Sequence, residues 1–350
     1  MDTNIIYSLL GENFVSYAIM AIIIILFITV YALIAILAEL KISAWMQRRY
    51  GPWRNTWHGV GQPLIEVFKL LQKENITPDR ADKFLFNLAP FVVFMGALMA
   101  FAVIPFGELF IPSDLNVGIF YAFAVSAFGV VGIIIGGWSS HNKYSLLGSM
   151  RAAAQMVSYE IPIAICLLSI ATLNGSLNME TIVVAQSGWF WDWNIFGGAG
   201  GATKLFVIPF TLSLFIIYFI ASLAETNRTP FDLPEGESEL VAGYSTEYSG
   251  MKFAMFYLAE YTNMFIVSAL ITVMFLGGWN SPFGDFLNYV WLQPAWFIAK
   301  AFGIVVMQII IRWTLPRLRI DQLMYTSWKV LVPCGLFCFL GVALYSMLSL

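Results

Sequence analysis

The sequence predicts an all-α polytopic membrane protein with about eight transmembrane helices and an amphipathic interfacial helix after the first span. Composition is the first reason: 59% of residues are hydrophobic, only 11% are charged, and the mean hydropathy is +0.78. Soluble domains contain about 45–50% apolar and about 25% charged residues. The apolar runs are the second reason, because they are longer than the roughly ten-residue alternating strands of a membrane barrel. We therefore expect residues 1–350 to form a single membrane domain.

Eight apolar runs approach the roughly 20 residues that a helix needs to cross a bilayer. They lie at about 15–38, 84–106, 117–137, 152–173, 205–224, 253–276, 295–311 and 330–350. The seventh is short and is bounded by Lys300 and Arg312. An even number of spans places both ends of the chain on the same side of the membrane.

The orientation follows from the basic residues, since loops rich in Lys and Arg stay on the cytoplasmic side. All of the 18 basic residues except Lys204 and Lys300 fall in four connections. These connections are 39–83, 138–151, 225–252 and 312–329. Both termini should therefore face the outer, periplasmic side. The first 40 residues contain no Lys or Arg, so the first span should be a retained helix and not a cleaved signal.

The first inward connection contains an amphipathic helix at about 61–75. Its apolar residues recur with helical spacing and are Leu64, Val67, Phe68 and Leu71. Its polar residues gather on the opposite face and are Gln62, Glu66, Lys69 and Lys73. Such a helix should lie in the membrane interface with its apolar side down. It either shapes a loop or walls a lipid-side opening through which an apolar substrate enters.

The cysteines and histidines do not indicate a cofactor site in this chain. Cys166, Cys334 and Cys338 lie in apolar spans without Cys-x-x-Cys spacing, so they are expected to be small core residues. His58 and His141 lie in loops, which leaves no intramembrane pair for axial haem ligation. We predict no metal site, and any redox cofactor should belong to other chains.

Three carboxylates lie in or at the end of spans: Glu39, Glu160 and Glu260. Ionisable groups within a membrane are costly, normally face the bundle interior, and often mark a proton path. The alternative for each is a structural carboxylate that hydrogen-bonds a neighbouring helix. For Glu260, the flanking Tyr257 and Tyr261 are the expected hydrogen-bond partners.

A proline follows Glu160 by two residues. Pro162 removes one helical hydrogen bond and clashes with the carbonyl of Ser158, four residues earlier. We expect the turn that holds Ser158 and Glu160 to be distorted and able to take up water.

The connection at about 225–252 is an acidic cytoplasmic loop. It contains one arginine, Arg228, and the carboxylates Glu225, Asp232, Glu235, Glu237 and Glu239. Like charges raise one another's pKa, which favours proton exchange near neutral pH. Apolar residues are interleaved with the charges, at Pro230, Phe231, Leu233, Pro234 and Leu240. This pattern predicts a loop that folds back into the protein.

These residues also carry a family resemblance. The stretch ETNRTPFDLPEGESELVAGYSTEYSGMKFAMFYLAEY, beginning at Glu225, resembles the signature of the quinone-channel membrane subunit of respiratory complex I, the H subunit of NADH-quinone oxidoreductase. Residues 230–243 fit the family pattern P-F-D-x-x-E-G-E-x-E-x-x-x-G throughout. The resemblance covers essentially the whole chain. The first inward loop matches less closely, with Trp53 where relatives usually have Asn and Glu66 where they usually have Asp.

The resemblance implies specific roles for residues of this chain. The helix at the quinone entrance would contribute Gln62, Glu66, Phe68 and Lys69. The loop that lines the quinone cavity would contribute Arg228, Asp232, Glu235, Glu237 and Glu239. The proton path would contain Glu39, Glu160, Glu225 and Glu260. No catalytic residue is expected in this chain alone.

The resemblance also implies a setting for the chain. The substrate would be a quinone, either ubiquinone or menaquinone, and FMN and iron–sulfur clusters would be bound only by partner subunits. The partners would be peripheral-arm subunits at the cytoplasmic face, small membrane subunits, antiporter-like subunits and lipid, with no nucleic acid. The location would be the bacterial inner membrane.

Three other functions remain open at the level of sequence. One is the homologous component of a membrane-bound hydrogenase or another complex that takes electrons from a donor other than NADH. A secondary transporter usually shows internal repeats, which this chain lacks. A purely structural anchor would not need carboxylates at Glu160 and Glu260.

Overall fold

The computed structural model describes residues 4, 6, 11, 13–54, 56–198, 204–234, 236–284 and 286–349. Within this part of the chain, eight helices are long and apolar enough to cross a membrane, which confirms the predicted fold class. We number them as spans one to eight: Phe14–Met46, Lys83–Val103, Gly118–Ser139, Lys143–Asn174, Lys204–Glu225, Gly250–Phe275, Gln293–Thr314 and Ile320–Leu348.

The ends of several spans extend beyond the apolar runs that predicted them. Span one continues to Met46 and includes Lys41, while span four begins at Lys143 and includes Arg151. Charged residues lower the local hydropathy without stopping a helix, so the helices continue past the apolar segment. The start of span four is fixed by Asn142, whose side chain accepts a 2.9 Å hydrogen bond from the backbone N–H of Tyr144.

Span eight has an irregular first half, and this half packs against span four. A π-helical segment, Thr326–Leu331, joins an α-helical turn to the long helix Val332–Ser349. The Ser327 hydroxyl donates a 2.7 Å hydrogen bond to the carbonyl of Ser158, the carbonyl for which Pro162 provides no N–H. Span four remains one continuous helix through Pro162. The Ser158 carbonyl, which lacks a donor at Pro162, thus has a donor from span eight, and the expected distortion and water uptake of this turn stay a prediction.

The amphipathic helix is present at Gln62–Gln72, with Pro63 in its first turn. It packs beside spans one and six. Several of its apolar side chains nevertheless reach the surface: Leu64, Ile65, Val67, Phe68 and Leu71 are all at least 40% exposed. The helix thus leaves an apolar face exposed, and its placement in the membrane interface stays a prediction.

The basic connections meet at one end of the bundle, which we call the basic end. Hydrogen bonds join them, from Asn142 to Glu247, from Ser249 to Glu74, and from the backbone N–H of Leu318 to the carbonyl of Pro230. The remaining connections meet at the opposite end, where Asn178 bonds Asp114 and the backbone N–H of Glu108 bonds Gln293. The two ends of the molecule thus differ in charge.

Span six lies at the centre of the bundle and contacts spans one, two, five and seven. Most of its residues from Phe256 to Phe275 are buried. Side chains on span six therefore lie in the protein interior, where spans one and seven and the acidic loop pack against this span.

Candidate functional site

Glu39 is the centre of a buried group of charges near the basic end. It is 8% exposed and forms ion pairs with Arg228 of the acidic loop, at 3.4 Å, and with Arg312 in the last turn of span seven. The hydroxyl of Tyr261 on span six donates a 2.6 Å hydrogen bond to the same carboxylate. We call Glu39, Arg228 and Arg312 the charge triad. Its two positive charges exceed its one negative charge.

Two side chains interact with the guanidinium of Arg228: the carboxylate of Glu39 and the ring of Tyr261. Its guanidinium lies 4.6 Å from the centroid of the Tyr261 ring, a favourable cation–π geometry. Burial alone would lower the pKa of Arg228, but the neighbouring carboxylate of Glu39 and the hydroxyl of Tyr261 raise this pKa well above its usual value. Arg228 therefore stays charged and attaches the acidic loop to span one.

A glutamine of span four fixes the start of the acidic loop. The side-chain amide of Gln155 donates to the carbonyls of Ala224 and Phe231, both at 2.8 Å, and to Asn227 at 3.2 Å. Phe231 and Leu233 are buried in the main core. The loop thus folds back into the protein, as its interleaved apolar residues predicted.

Two carboxylates face a small cavity between the acidic loop and spans two to six. Glu225, at the end of span five, and Glu260, on span six, both line it, together with Asn227, Tyr244 and Asn263. The cavity offers about 20 Å³ to the centre of a water molecule. About one water fits in such a space, and the polar lining supplies the hydrogen-bond partners that a buried water requires.

The neighbours of these two carboxylates differ from the sequence expectation. Glu260 accepts a 2.7 Å hydrogen bond from Tyr244 of the loop, whereas Tyr261 bonds Glu39. Tyr261 follows Glu260 directly, and adjacent helix residues face different directions. Glu225 forms a side-chain hydrogen bond with Ser126 of span three and interacts electrostatically with Glu160 of span four. Two of the predicted acids, Glu225 and Glu260, thus line one cavity, whereas Glu160 is not part of its lining.

The rest of the acidic loop lies nearer the surface. Glu239 is exposed and forms a 2.7 Å ion pair with Arg151. Hydrogen bonding and charge from Arg151 lower the pKa of Glu239, so the like-charge increase expected from sequence is wrong for this residue. Asp232 is half-buried. Glu235 lies outside the described residues, and the side chain of Glu237 lies outside the described side chains.

The first inward loop is fixed by Lys41 near the end of span one. Its ammonium group donates to the carbonyls of Pro52 and His58, at 2.8 and 2.7 Å. The ring of Trp53 lies 5.7 Å from the same ammonium nitrogen. These contacts fold the loop back over the end of span one and set the direction from which the amphipathic helix begins.

The amphipathic helix places the four residues expected at the entrance on its surface. Gln62 donates a 3.1 Å hydrogen bond to Glu66, and both side chains are half-buried. Phe68 is 60% exposed and Lys69 is also exposed. In the described part of the chain, no three His, Cys, Asp or Glu side chains are grouped so as to hold a metal ion.

Sequence reasoning missed Arg312, Gln155 and Tyr244 as site residues. Arg312 was interpreted only as the charged boundary of a short span, although it pairs with Glu39 across 273 positions of sequence. The sequence did contain a signal for this pair. An acidic residue, Glu39, lies near the end of span one, and a basic residue, Arg312, lies near the end of span seven on the same side of the membrane. Gln155 and Tyr244 carry no such local signal.

The fold and this site define a polytopic membrane protein with protonatable groups gathered inside its helix bundle beside a folded acidic loop. A family model described as NADH dehydrogenase matches residues 19–343. The chain is 51% identical to the H subunit of NADH-quinone oxidoreductase from Chlorobaculum tepidum, over 91% of this chain and 89% of that protein. It is 52% identical to the protein of the same name from Chlorobium luteolum, over 91% of this chain and 86% of that protein.

A more distant relative gives the same result. The H subunit of NADH-quinone oxidoreductase from Anaeromyxobacter dehalogenans is 42% identical over 95% of this chain and 83% of that protein. The chain belongs to the family of NADH-quinone oxidoreductase H subunits, which confirms the resemblance found in the sequence.

Proposed function

We propose that this chain forms the quinone entrance and cavity of a proton-translocating NADH:quinone oxidoreductase and the first part of the proton path. Its relatives carry the name of that enzyme's H subunit. The single observation that carries the proton part is the cavity that Glu225 and Glu260 both line. Glu160 interacts electrostatically with Glu225.

The entrance lies between the amphipathic helix and spans one and six. The apolar side chains exposed on that helix, among them Phe68, suit the isoprenoid tail of a quinone that arrives from the bilayer. Gln62, Glu66 and Lys69 line the polar side of the opening. Further in, the loop that borders the cavity for the headgroup contains Arg228, Asp232, Glu235, Glu237 and Glu239.

The proton path begins in the acidic loop and leads into the bundle. Reduction of a quinone at the basic end changes the local charge, and the carboxylates of the loop respond by binding or releasing protons. A water in the cavity would pass protons between Glu260 and Glu225, and Glu225 would exchange them with Glu160. Glu39 joins this path to the quinone cavity through its contacts with Arg228 and Tyr261.

The proposed setting is the bacterial inner membrane, with the basic end in the cytoplasm. Asn4 donates a hydrogen bond to the carbonyl of Ile111 in a connection at the opposite end, which supports an outward N-terminus. Peripheral-arm subunits that hold FMN and iron–sulfur clusters would bind the basic end. Small membrane subunits and antiporter-like subunits would pack beside the spans, and residues 1–350 would act as one membrane domain.

The test uses the intact complex with Glu160→Gln or Glu225→Gln, reconstituted in proteoliposomes and supplied with NADH and a quinone. We expect a lower turnover or fewer protons translocated per electron, because the amide keeps the shape of the carboxyl but does not exchange a proton. Glu180→Gln is the matched control, since Glu180 is a partly buried carboxylate at the opposite end.

Normal turnover and normal proton yield in both variants would show that Glu160 and Glu225 are not part of the proton path. A wild-type complex that oxidises hydrogen and not NADH would instead show that this chain serves a different electron-input module.

A further inference from the structure

A surface cavity lies at the basic end, where span three ends and span four begins. Its volume of about 340 Å³ falls within the roughly 300–1,000 Å³ that small-molecule sites occupy. The residues that line it come from the end of span three, the short connection and the start of span four: Gly137, Trp138, His141, Asn142, Lys143 and Leu146. None of them belongs to the proposed quinone cavity or proton path.

The lining carries basic side chains that no described residue neutralises. Lys143 and His141 are both exposed, and neither forms an ion pair or a side-chain hydrogen bond within the described part of the chain. The ammonium nitrogen of Lys143 lies 5.3 Å from the centroid of the Tyr144 ring. The ring leaves the N–H groups of Lys143 without an acceptor, so they can donate to an anion.

Two acids approach this connection, and both have donors of their own. Glu247 accepts a 2.6 Å hydrogen bond from the side-chain amide of Asn142. Asp82, whose backbone N–H bonds the carbonyl of Ser139, accepts from the backbone N–H groups that begin span two. Neither acid lines the cavity. The cavity therefore favours an anionic ligand.

Two apolar stripes lead from the cavity along the outer surfaces of spans three and four. On span three, the exposed residues recur every three or four positions and are Trp138, Ile134, Val131 and Phe128. On span four, they begin at Leu146 and continue with Met150 and Val157, again at helical spacing. Trp138 and Leu146 also line the cavity, so each stripe begins there and runs into the membrane-spanning part of its helix.

Spans three and four approach each other closely beside the cavity. A β-carbon at Gly137 would overlap the side chain of Ser149 on span four, so this approach requires a glycine. Because the two spans lie this close, their two apolar stripes are neighbours on one surface. A single ligand can therefore reach the cavity and both stripes at once.

A basic cavity that opens onto two apolar stripes has the chemistry of a phospholipid site. Phosphate oxygens accept charge-assisted hydrogen bonds from ammonium and imidazole N–H groups. Basic pockets between transmembrane helices bind the headgroups of anionic lipids. Trp138 is 68% exposed, and its amphipathic indole is typical of side chains at the membrane–water interface. The cavity thus lies where a headgroup would be, and the stripes lie where acyl chains would be.

We propose that this cavity binds the headgroup of an anionic phospholipid. Lys143 and His141 donate to the phosphate, Trp138 packs against the glycerol region, and the two acyl chains lie along the stripes of spans three and four. The proposal requires only that these spans cross a bilayer. It does not depend on the proposed quinone cavity or proton path.

The first test is a structure of the intact complex by electron cryomicroscopy, in nanodiscs that contain phosphatidylglycerol. We expect density for one phospholipid, with its phosphate within hydrogen-bond distance of Lys143 or His141 and its chains on the two stripes. A transmembrane helix of a partner subunit on the stripes would overturn the proposal. An empty cavity would overturn it as well.

The second test asks whether the site selects negative charge. In nanodiscs with a small fraction of phosphatidylglycerol in phosphatidylcholine, Lys143→Gln should lower the lipid occupancy of the site about fivefold, because one basic residue contributes about 1 kcal/mol to the binding of anionic lipid. Equal occupancy in wild type and variant would overturn the proposal. Equal occupancy of the wild-type site in pure phosphatidylcholine would also overturn it, since the ligand would then not be selected for its charge.

Lys83→Gln is the matched control. Lys83 is an exposed basic residue at the start of span two, on the same end of the bundle, and it does not line the cavity. Its substitution should leave the lipid occupancy of the site unchanged. Both variants should have the melting temperature of the wild-type complex in detergent without added phosphatidylglycerol, so that a change of occupancy in Lys143→Gln reports the lipid contact and not the fold.

Discussion

The hydroxyl of Ser327 on span eight donates a 2.7 Å hydrogen bond to the carbonyl of Ser158 on span four. Pro162 has no N–H for that carbonyl, so a side chain of a neighbouring span supplies the missing donor. The π-helical segment Thr326–Leu331 presents this donor at the turn that precedes Glu160. A donor that is missing within one helix is thus supplied by a side chain on the π-helical segment of another.

Ser327→Ala should destabilise the chain by about 1–3 kcal/mol, because the Ser158 carbonyl becomes a buried acceptor without a donor. Thermal unfolding of the complex measures this loss. Ser169→Ala is the control: that hydroxyl bonds the carbonyl of Ile165, which already has its own helical donor. Equal losses in both variants would contradict a special role for Ser327.

The charges of the triad predict that substitutions of its members destabilise the protein to different extents. Glu39→Gln removes the carboxylate that pairs with both arginines and should cost about 3–5 kcal/mol. Arg228→Gln should cost less, because Glu39 and Arg312 remain as a neutral pair. The amount of assembled complex in membranes and its apparent melting temperature give the ranking.

The double variant Glu39→Gln with Arg228→Gln should be more stable than the sum of the two single losses indicates, since one uncompensated positive charge is removed. Additive losses would show that the two side chains do not act through their mutual charge.

The ion pair between Arg151 and Glu239 should hold the acidic loop against span four. Arg151→Glu should increase the rate of limited proteolysis within the loop, and Glu239→Arg in the same chain should restore protection. Both side chains are partly exposed, so the coupling should be at most about 1 kcal/mol and weaker at high salt.

The same pair has a defined pH dependence. Arg151 holds the pKa of Glu239 below its usual value. The pair therefore contributes fully above the ordinary pKa of a glutamate, and this contribution is lost as the pH falls through the lowered pKa. Protection that improves on acidification would contradict this assignment.

Among the basic residues at the end of the bundle opposite the basic end, Lys300 should contribute most to the stability of the fold. Its ammonium group donates to the carbonyls of Leu276, Gly278 and Asn280, directly after span six. Lys300→Met would leave these acceptors without that donor and should cost about 1–3 kcal/mol in unfolding experiments. Lys204→Met is the control, since Lys204 pairs with the partly exposed Asp192 and should cost at most about 1 kcal/mol.

The spans, the amphipathic helix and the family could be predicted from the sequence, because hydropathy, helical spacing and motif matches are local properties. The partners of the charged groups could not. Glu39 meets Arg228 and Arg312 only because spans one and seven and the loop come together in the fold. Likewise, Tyr244 reaches Glu260 from a loop, which no spacing within span six indicates.

The donor that replaces the missing N–H of Pro162 could not be predicted for a related reason. A proline identifies the carbonyl that loses its helical donor, but the sequence does not say which neighbour replaces that donor. The like-charge argument for the loop failed at Glu239 because Arg151, 88 positions earlier, determines its environment.

The exposed apolar face of the amphipathic helix has a mechanical consequence. Spans one and six contact only part of this helix, and side chains such as Phe68 and Leu71 point outward. In a bilayer, the lateral pressure of the lipid chains would act on that face and set how far the helix stands from span six. The width of the opening beside it would then follow the thickness and chain order of the surrounding membrane, so that lipid composition becomes one of the variables that control access.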